Sequence, residues 1–254
     1  MEKVTISALH EMKRHGKKIV GVVAWDFQIA QIADRSGAEI ISVGDSVGIN
    51  LWGRSNPSDI TVDEMIIVCS AVRRGTSRAL VSCDIPFGPL QESVESAVRA
   101  ARRIVQEAGA DLVKLDAASD FPNAVTAIVR AGVPVFAQFE MNQQRAEDVT
   151  AKLVADAKRL QDAGACLIDF KHSGPIAGPA VVNAVSIPVL GGLGGGPWLD
   201  GRLRMANAAI GYAASALESK TESYANVARL TLDALTAYGN DVRAGRQIKG
   251  GTPV

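Results

Sequence analysis

Short apolar runs alternate with longer amphipathic segments along most of the chain. The apolar runs are rich in Val, Ile and Leu, which is typical of parallel strands covered on both faces. Seven runs are clear and one is weaker. The clear ones are 18–25, 39–44, 79–85, 112–117, 134–140, 166–172 and 187–192, and the weak one is 213–218.

The amphipathic segments between these runs predict helices, and the clearest are 61–75, 92–109, 146–164 and 221–239. Thr61 followed by Glu64 forms a capping-box pattern at the start of the first of them. The phrases SGAE, AGAD, AGVP and AGAC fall where a helix should end and a strand begin. This alternation predicts a (β/α)8 TIM barrel, with residues 1–254 forming a single domain that opens with a short N-terminal helix. A doubly wound open sheet is the alternative, although no glycine-rich dinucleotide fingerprint follows the first strand.

Composition narrows the class of protein. The chain has 254 residues, of which 47% are hydrophobic and 21% charged, and its formal net charge is zero. The absence of a charged block argues against a nucleic acid or an anionic membrane as partner. We expect no signal peptide and no membrane span, because no apolar run is long enough. Cys69, Cys83 and Cys166 lie in apolar runs, which predicts buried thiols and a cytoplasmic location.

Polar residues collect at the carboxyl ends of the predicted strands, where barrels of this type carry their active sites. Six successive strands contribute Asp26, Asp45, Ser46, Asp84, Lys114, Asp116, Gln138, Glu140, Asp169 and Lys171. A single Asp at such a position commonly caps the following helix, and this is the expected role of Asp26. Asp45, Asp84 and Asp116 end three consecutive strands, so we expect them to converge at the mouth of the barrel.

Three neighbouring carboxylates cannot all stay charged without compensating positive charge. An all-oxygen ligand set of this kind suits Mg²⁺, with Mn²⁺ as the alternative. A cation held there would polarise a 2-oxo acid and stabilise its enolate. Lys114 would add positive charge to the same carboxylate or enolate, unless it only forms a structural ion pair with Asp116 or Asp84. Gln138 and Glu140 are left open between substrate-binding and loop roles.

Two glycine-containing segments complete the expected mouth. The segment LGGLGGG, residues 190–196, ends the seventh strand, and its glycines would let the backbone approach a ligand closely. In many barrels this region binds phosphate. Residues 47–60 form a long polar connection, which is expected to act as a lid or wall over the site.

The motifs VGDSVG, ITVDEM, AVRRG and CDIPFG, followed by AGADLVKLD and IPVLGGLGGG, resemble the ketopantoate hydroxymethyltransferase family of the phosphoenolpyruvate mutase and isocitrate lyase superfamily. The resemblance implies a (β/α)8 barrel with Mg²⁺ held by Asp45 and Asp84, and with Asp116 where the family usually has Glu. It implies that Ser46 and Lys114 contact the carboxylate of the 2-oxo acid. It also implies a one-carbon transfer from methylenetetrahydrofolate to the enolate of 2-oxoisovalerate, within a homo-oligomer that is often a decamer.

The sequence departs from the family pattern on the other side of the mouth. Gln138 stands where the family has His, and Lys171 stands where the family has a Glu that acts in proton transfer. The family's Gly-His stretch after the seventh strand is absent, and the resemblance is loose from about Pro197. Lys171 is then a base, a Schiff-base lysine or a member of a structural ion pair.

The expected function is metal-dependent enolate chemistry on a 2-oxo acid, either hydroxymethyl transfer or aldol addition, in pantothenate synthesis or a specialised pathway. One alternative is a lyase or aldolase of the superfamily that cleaves a 2-oxo or 2-hydroxy acid. Another is a catalytically silent barrel with a binding role.

Overall fold

Eight parallel strands pair in chain order and close into a barrel in the computed structural model, which describes residues 2–56, 59–141, 146–192 and 194–246. The strands are β1 (Ile19–Val23), β2 (Ile40–Val43), β3 (Leu80–Asp84), β4 (Leu112–Leu115), β5 (Val135–Glu140), β6 (Leu167–Lys171), β7 (Val189–Gly191) and β8 (Gly201–Met205). The predicted (β/α)8 barrel is confirmed, and so are the positions of the seven clear strands.

Helices connect successive strands from β1 to β7, and further helices precede β1 and follow β8. They are α1 (Ile6–Arg14), α2 (Phe27–Arg35), α3 (Val47–Asn50), α4 (Val62–Gly75), α5 (Phe87–Glu92), α6 (Val94–Ala108), α7 (Pro122–Arg130), α8 (Ala146–Asp162), α9 (Ala177–Ala184), α10 (Ala206–Ala209) and α11 (Val227–Arg243). The expected capping box is present: Thr61 and Glu64 each accept the other's backbone N–H at the start of α4. Asp26 caps α2 by accepting the N–H of Ile29 at 2.9 Å, as predicted.

The predicted eighth strand at 213–218 is wrong. Residues Ala214–Leu217 form a 3₁₀ helix, and β8 lies earlier in the chain. The sequence of β8, GRLRM, buries Gly201 and Leu203 but exposes the arginines between and after them. A strand with this alternation contains no continuous apolar run, so the pattern of apolar runs does not predict it.

Glycine is required where the barrel closes. The N–H of Ile19 on β1 donates to the carbonyl of Asp200 at 2.9 Å, immediately before β8. A Cβ at Gly201 would lie 2.2 Å from the carbonyl oxygen of Ile19. Only a residue without a side chain lets the last strand approach the first this closely.

Aspartates with well-matched donors hold the amino ends of the strands. Asp34 accepts three successive backbone N–H groups just before β3. Asp111, which precedes β4, pairs with Arg73 at 2.9 Å, and Asp200, which precedes β8, pairs with Lys13 at 3.0 Å. These contacts attach α2, α4 and α1 to the segments that precede β3, β4 and β8. All three segments lie at the end of the barrel opposite the predicted mouth.

Residues 1–204 and 205–254 form two compact units. The first holds the barrel up to Arg204, and the second holds α10, the 3₁₀ helix and α11. The assignment of residues 1–254 to one domain therefore stays a prediction. No helix within the described parts of the chain has the length and apolar character to cross a membrane. Cys69, Cys83 and Cys166 are free thiols; Cys69 and Cys83 are buried as expected, whereas Cys166 is only half-buried.

Candidate active site

The carboxyl ends of β2, β3 and β4 bring three aspartates together. Asp84 is the last residue of β3, whereas Asp45 and Asp116 follow β2 and β4 closely. One carboxylate oxygen from each of the three lies within 4.8 Å of the others. This is the convergence that the sequence predicts, and it creates a compact all-oxygen cluster.

Lys114 lies within this cluster. It pairs in register with Asp84 across β3 and β4, and its side chain therefore points to the same face of the sheet. Its Nζ donates to Asp84 Oδ2 at 3.2 Å and to Asp116 Oδ1, and the residue is only 4% exposed. Burial lowers the pKa of Lys114, but the attraction of Asp116 and Asp84 outweighs burial and raises the pKa well above its ordinary value. The ion pair that the sequence left open is thus present, and the lysine is positively charged.

Only one of the two carboxylate oxygens of Asp84 accepts hydrogen bonds from the described residues. Its Oδ2 accepts from Lys114 and, at 3.4 Å, from the backbone N–H of Asp45. Its Oδ1 is buried and has no hydrogen-bond partner among the described residues. A buried carboxylate oxygen without a partner is rare and calls for an explanation. A cation held by Asp45, Asp84 and Asp116 would supply one, so the residues present fit a hard divalent ion such as Mg²⁺.

The three carboxyl groups differ in pKa. Burial raises the pKa of Asp84 to about 7, and repulsion by Asp116 and Asp45 adds to this against the opposing attraction of Lys114. Burial and the charge of Asp116 also raise the pKa of Asp45. Burial acts in the same direction on Asp116, but Lys114 and Lys171 outweigh it and lower its pKa to about 2. Asp116 is therefore the firmly ionised member of the cluster.

Lys171 reaches the cluster from the end of β6. Its Nζ donates to Asp116 Oδ2 at 3.1 Å, and its side chain is 23% exposed. Of the three roles that the sequence leaves open, this geometry contains the ion pair, with Asp116 as the partner. Because the side chain is partly exposed, the amine borders the mouth rather than the core.

Asp169 also belongs to this charged interior, although the sequence places it only at the end of a strand and assigns it no role. It lies two residues before Lys171 on β6, is 1% exposed, and accepts the N–H of Gly192 through Oδ1 at 2.9 Å. Burial raises its pKa, while the charges of Lys114 and Lys171 act in the opposite direction. The signal in the sequence is the spacing Asp-Phe-Lys, which places two charged side chains on one face of a buried strand.

Gln138 and Glu140 on β5 differ in their surroundings. Gln138 is 3% exposed, and its Oε1 accepts the N–H of Ala117 at 2.9 Å. Ala117 has a left-handed backbone with φ of 52°, so Gln138 stabilises the turn that follows Asp116. Glu140 is exposed, and within the described parts of the chain no hydrogen bond or ion pair connects it to the cluster.

Ser46 lies at the start of α3 and makes no capping hydrogen bond with that helix. A Cβ at Gly44 would lie 2.9 Å from Ser46 Oγ and 3.8 Å from Asp84 Oδ2. The hydroxyl of Ser46 is therefore close to the cluster, and glycine at position 44 leaves room for it.

The glycine segment 190–196 lies beside β6, although its residue 193 is outside the described residues. The N–H of Gly192 is taken by Asp169, and Gly194, with φ of 70°, leaves space for His172. His172 is exposed and has a left-handed backbone with φ of 53°. The described glycines of this segment thus lie against the end of β6, and their approach to a ligand stays a prediction.

Residues 47–60 begin with α3 and then run past the mouth, with 57 and 58 outside the described residues. Arg54 pairs with Glu64 at the start of α4 and lies 5.0 Å from the ring centroid of Trp52. This pair ties the segment to the scaffold. Ile49, Leu51 and Trp52 remain substantially exposed along it. Movement of the segment as a lid stays a prediction.

Comparison with known proteins gives a consistent result. The model of the family described as ketopantoate hydroxymethyltransferase matches residues 3–247. A 3-methyl-2-oxobutanoate hydroxymethyltransferase from Cyanothece sp. is 34% identical over 255 residues, covering 94% of this chain and 96% of the relative. The enzyme of the same name from Geobacillus kaustophilus is 33% identical, covering 91% of this chain and 87% of the relative.

Solved structures show a likeness of fold. A 2,3-dimethylmalate lyase, described as a PEP mutase/isocitrate lyase superfamily member, superposes with a TM-score of 0.63 at 13% identity, covering 98% of this chain and 92% of the lyase. A phosphonopyruvate hydrolase in complex with oxalate and Mg²⁺ gives 0.61 at 13% identity, covering 96% of this chain and 88% of the hydrolase. At these identities the likeness concerns the fold. The family match and the relatives above 30% identity go further, and they show that the chain belongs to the ketopantoate hydroxymethyltransferase family of enzymes.

Proposed function

We propose that this chain holds a divalent cation, Mg²⁺ or Mn²⁺, with Asp45, Asp84 and Asp116, and forms the enolate of a 2-oxo acid beside it. The enolate carbon then attacks a one-carbon electrophile, so that a new C–C bond is made. The names of the relatives favour 3-methyl-2-oxobutanoate as the acid and hydroxymethyl transfer as the reaction. Methylenetetrahydrofolate is the proposed one-carbon donor: the C–N bonds to its methylene carbon break, water supplies the new hydroxyl group, and tetrahydrofolate leaves.

The observation that carries the proposal is the buried Oδ1 of Asp84, which has no partner among the residues that the structure describes and lies beside two further carboxylates. The phosphonopyruvate hydrolase with a similar fold has been solved with Mg²⁺ and oxalate, a small dicarboxylate. A cation in the cluster would polarise the carbonyl of a 2-oxo acid and lower the cost of removing the neighbouring proton.

The chain's own residues supply the remaining functions. Lys114, charged and buried, attracts the acid's carboxylate and the negative charge that develops on its carbonyl oxygen. The free hydroxyl of Ser46 can donate to the same carboxylate. Lys171 borders the mouth, and its amine is the group we propose for proton transfer at the carbon next to the carbonyl. Gln138 keeps the turn after Asp116 in place.

Further parts of the proposal concern the cellular location, the oligomeric state and the binding partners. We propose a cytoplasmic enzyme that assembles into a homo-oligomer and takes a small 2-oxo acid, with no nucleic acid or membrane as partner. Glu140 is proposed to contact the second substrate at the rim, because it is exposed at the end of β5.

Proton exchange tests the proposal before any electrophile is known. The purified chain is incubated in D₂O with Mg²⁺ and a panel of 2-oxo acids, and the C3 proton signal is followed by NMR. We expect exchange that requires the cation, is lost in Asp45→Asn, and persists in the matched control Asp26→Asn, whose carboxylate only caps α2.

Two other outcomes would point elsewhere. Exchange that is unaffected by EDTA would remove the cation from the proposal. If the chain binds Mg²⁺ but exchanges no proton of any acid, it is a silent barrel or a lyase with a larger substrate.

A further inference from the structure

Both oxygens of Asp116 are occupied by lysine ammonium groups. Lys114 donates to Oδ1 and Lys171 donates to Oδ2 at 3.1 Å. A cation bound by the three aspartates needs an oxygen of Asp116 as ligand, and it also repels the nearby ammonium groups. Each carboxylate oxygen can still accept a second partner, so the cation opposes the lysines at Asp116 through charge repulsion.

The two lysines are not equally able to leave. Lys114 is 4% exposed and has a second carboxylate, Asp84, within hydrogen-bond distance. The side chain of Lys171 is 23% exposed, and Asp116 is the partner to which the structure joins it. Lys171 is consequently the ammonium group that can move.

Asp169 is placed to receive it. The two residues lie two apart on β6, so their side chains share one face of the strand, within the reach of a lysine side chain. The carboxyl of Asp169 accepts the N–H of Gly192 through Oδ1, while no lysine donates to it in the described structure. A Cβ at Gly192 would lie 3.6 Å from Asp169 Oδ2 and 3.8 Å from Lys171 Cγ, so glycine at this position leaves open the space beside both groups.

We propose that cation binding transfers Lys171 from Asp116 to Asp169, which makes Asp169 a positioning residue for the amine at the mouth. This inference rests on the proposed function, because it presupposes a cation at the three aspartates. In the cation-bound chain the amine pairs with Asp169, in the space that Gly192 leaves beside both residues. The role of Lys171 in the reaction then depends on a carboxylate that it does not contact in the cation-free chain.

Affinity for Mn²⁺, measured by the loss of the free-ion EPR signal, tests the transfer without any turnover. We expect Lys171→Met to bind Mn²⁺ about tenfold more tightly, and Asp169→Asn about tenfold more weakly, a typical size for groups around a metal site. In the Lys171→Met background, Asp169→Asn should change the affinity little, because the group that needs Asp169 is gone. Glu140→Gln is the matched control, since Glu140 pairs in register with Lys171 on the neighbouring strand.

The result that would overturn the transfer is a loss of affinity from Asp169→Asn of equal size with and without Lys171. That pattern would mean that Asp169 acts only by holding Gly192 or by its charge. If Glu140→Gln, rather than Asp169→Asn, weakens Mn²⁺ binding only when Lys171 is present, then Glu140 is the carboxylate that receives Lys171. That result would overturn the assignment to Asp169 as well.

A crystal structure of the unmodified chain with Mn²⁺ gives a second test that needs no variant to fold. We expect Lys171 Nζ about 3 Å from an Asp169 oxygen. Lys171 still bonded to Asp116 beside the bound ion would refute the transfer. If the unmodified chain binds no Mn²⁺ and exchanges no C3 proton, the proposed function fails too. If it does both but the affinities of the variants are additive, only the transfer fails.

Discussion

Replacing Lys114 with methionine removes a buried positive charge that touches both Asp84 and Asp116. Methionine has a similar length and packs well in a core, so the change deletes charge with little loss of volume. The variant leaves the Asp84 carboxyl buried beside Asp45, with no ammonium group to offset its charge. We expect a chain that folds but is markedly less stable when no divalent cation is present.

The magnitude follows from the geometry. At the 3.2 Å that separates Lys114 Nζ from Asp84 Oδ2, an effective dielectric constant of about 20 gives an attraction of roughly 5 kcal/mol. Experiments that remove one partner of a buried pair usually cost about 3–5 kcal/mol. We therefore expect Lys114→Met to lower the free energy of unfolding by about 3–5 kcal/mol near pH 8. Near pH 5.5 the cost should be smaller, because Asp84 is then largely protonated in both chains.

Urea unfolding with EDTA, at both pH values, measures this cost, and repetition with millimolar Mg²⁺ should reduce it because the cation replaces the lost charge. Lys3→Met is the matched control. Lys3 also pairs with an aspartate, Asp111, at 2.9 Å, but its side chain is 55% exposed, so the expected cost is under about 1 kcal/mol. Equal costs for the two variants, or a cost for Lys114→Met that ignores both pH and Mg²⁺, would refute the electrostatic reasoning.

Two further predictions concern the cluster and the closure of the barrel. Because the pKa of Asp84 is about 7, above the ordinary 3.8, the folded chain without cation holds a proton that the unfolded chain lacks between those values. Stability should therefore fall as pH rises through this window, and Mg²⁺ affinity, measured by calorimetry, should rise by up to about tenfold per pH unit until it levels off above pH 7. An affinity that does not change with pH would contradict this. Gly201→Ala should lower the midpoint of thermal unfolding strongly, because its Cβ would meet the carbonyl of Ile19 at 2.2 Å, whereas the control Gly88→Ala, with open space around it, should change it little. Equal midpoints for the two variants would refute the argument from close approach.

Much of the barrel is predictable because its strands are short and buried on both faces. Continuous apolar runs locate β1 to β7, and the glycines of SGAE, AGAD, AGVP and AGAC all take positive φ between helix and strand. The failure at β8 has a physical cause. Its exposed arginines alternate with a glycine and a leucine, and what makes it a strand is its approach to β1, which no local pattern records.

The candidate site is predictable to the extent that it depends on strand position. Asp45, Asp84 and Asp116 come together because consecutive parallel strands end at the same rim. Which carboxylate binds which lysine depends on distances across strands, so the pairing of Lys171 with Asp116 and the burial of Asp169 emerge only in three dimensions. Gln138 is buried and Glu140 is exposed because Gln138 lies within β5, whereas Glu140 is its last residue.

The aspartates at the two ends of the barrel differ in how well their carboxylates are matched with hydrogen-bond donors. At the amino ends, Asp34, Asp111 and Asp200 are matched with donors, whereas at the mouth like charges are crowded and one oxygen of Asp84 has no partner in the part of the chain that the structure describes. Inherited substitutions at the two ends should therefore cause different defects. Changes at the amino ends reduce the amount of folded protein in the cell while each remaining molecule keeps its chemistry. Changes to the crowded aspartates at the mouth, in contrast to the loss of Lys114, leave the amount of protein intact, or even raise it, while the chemistry is lost.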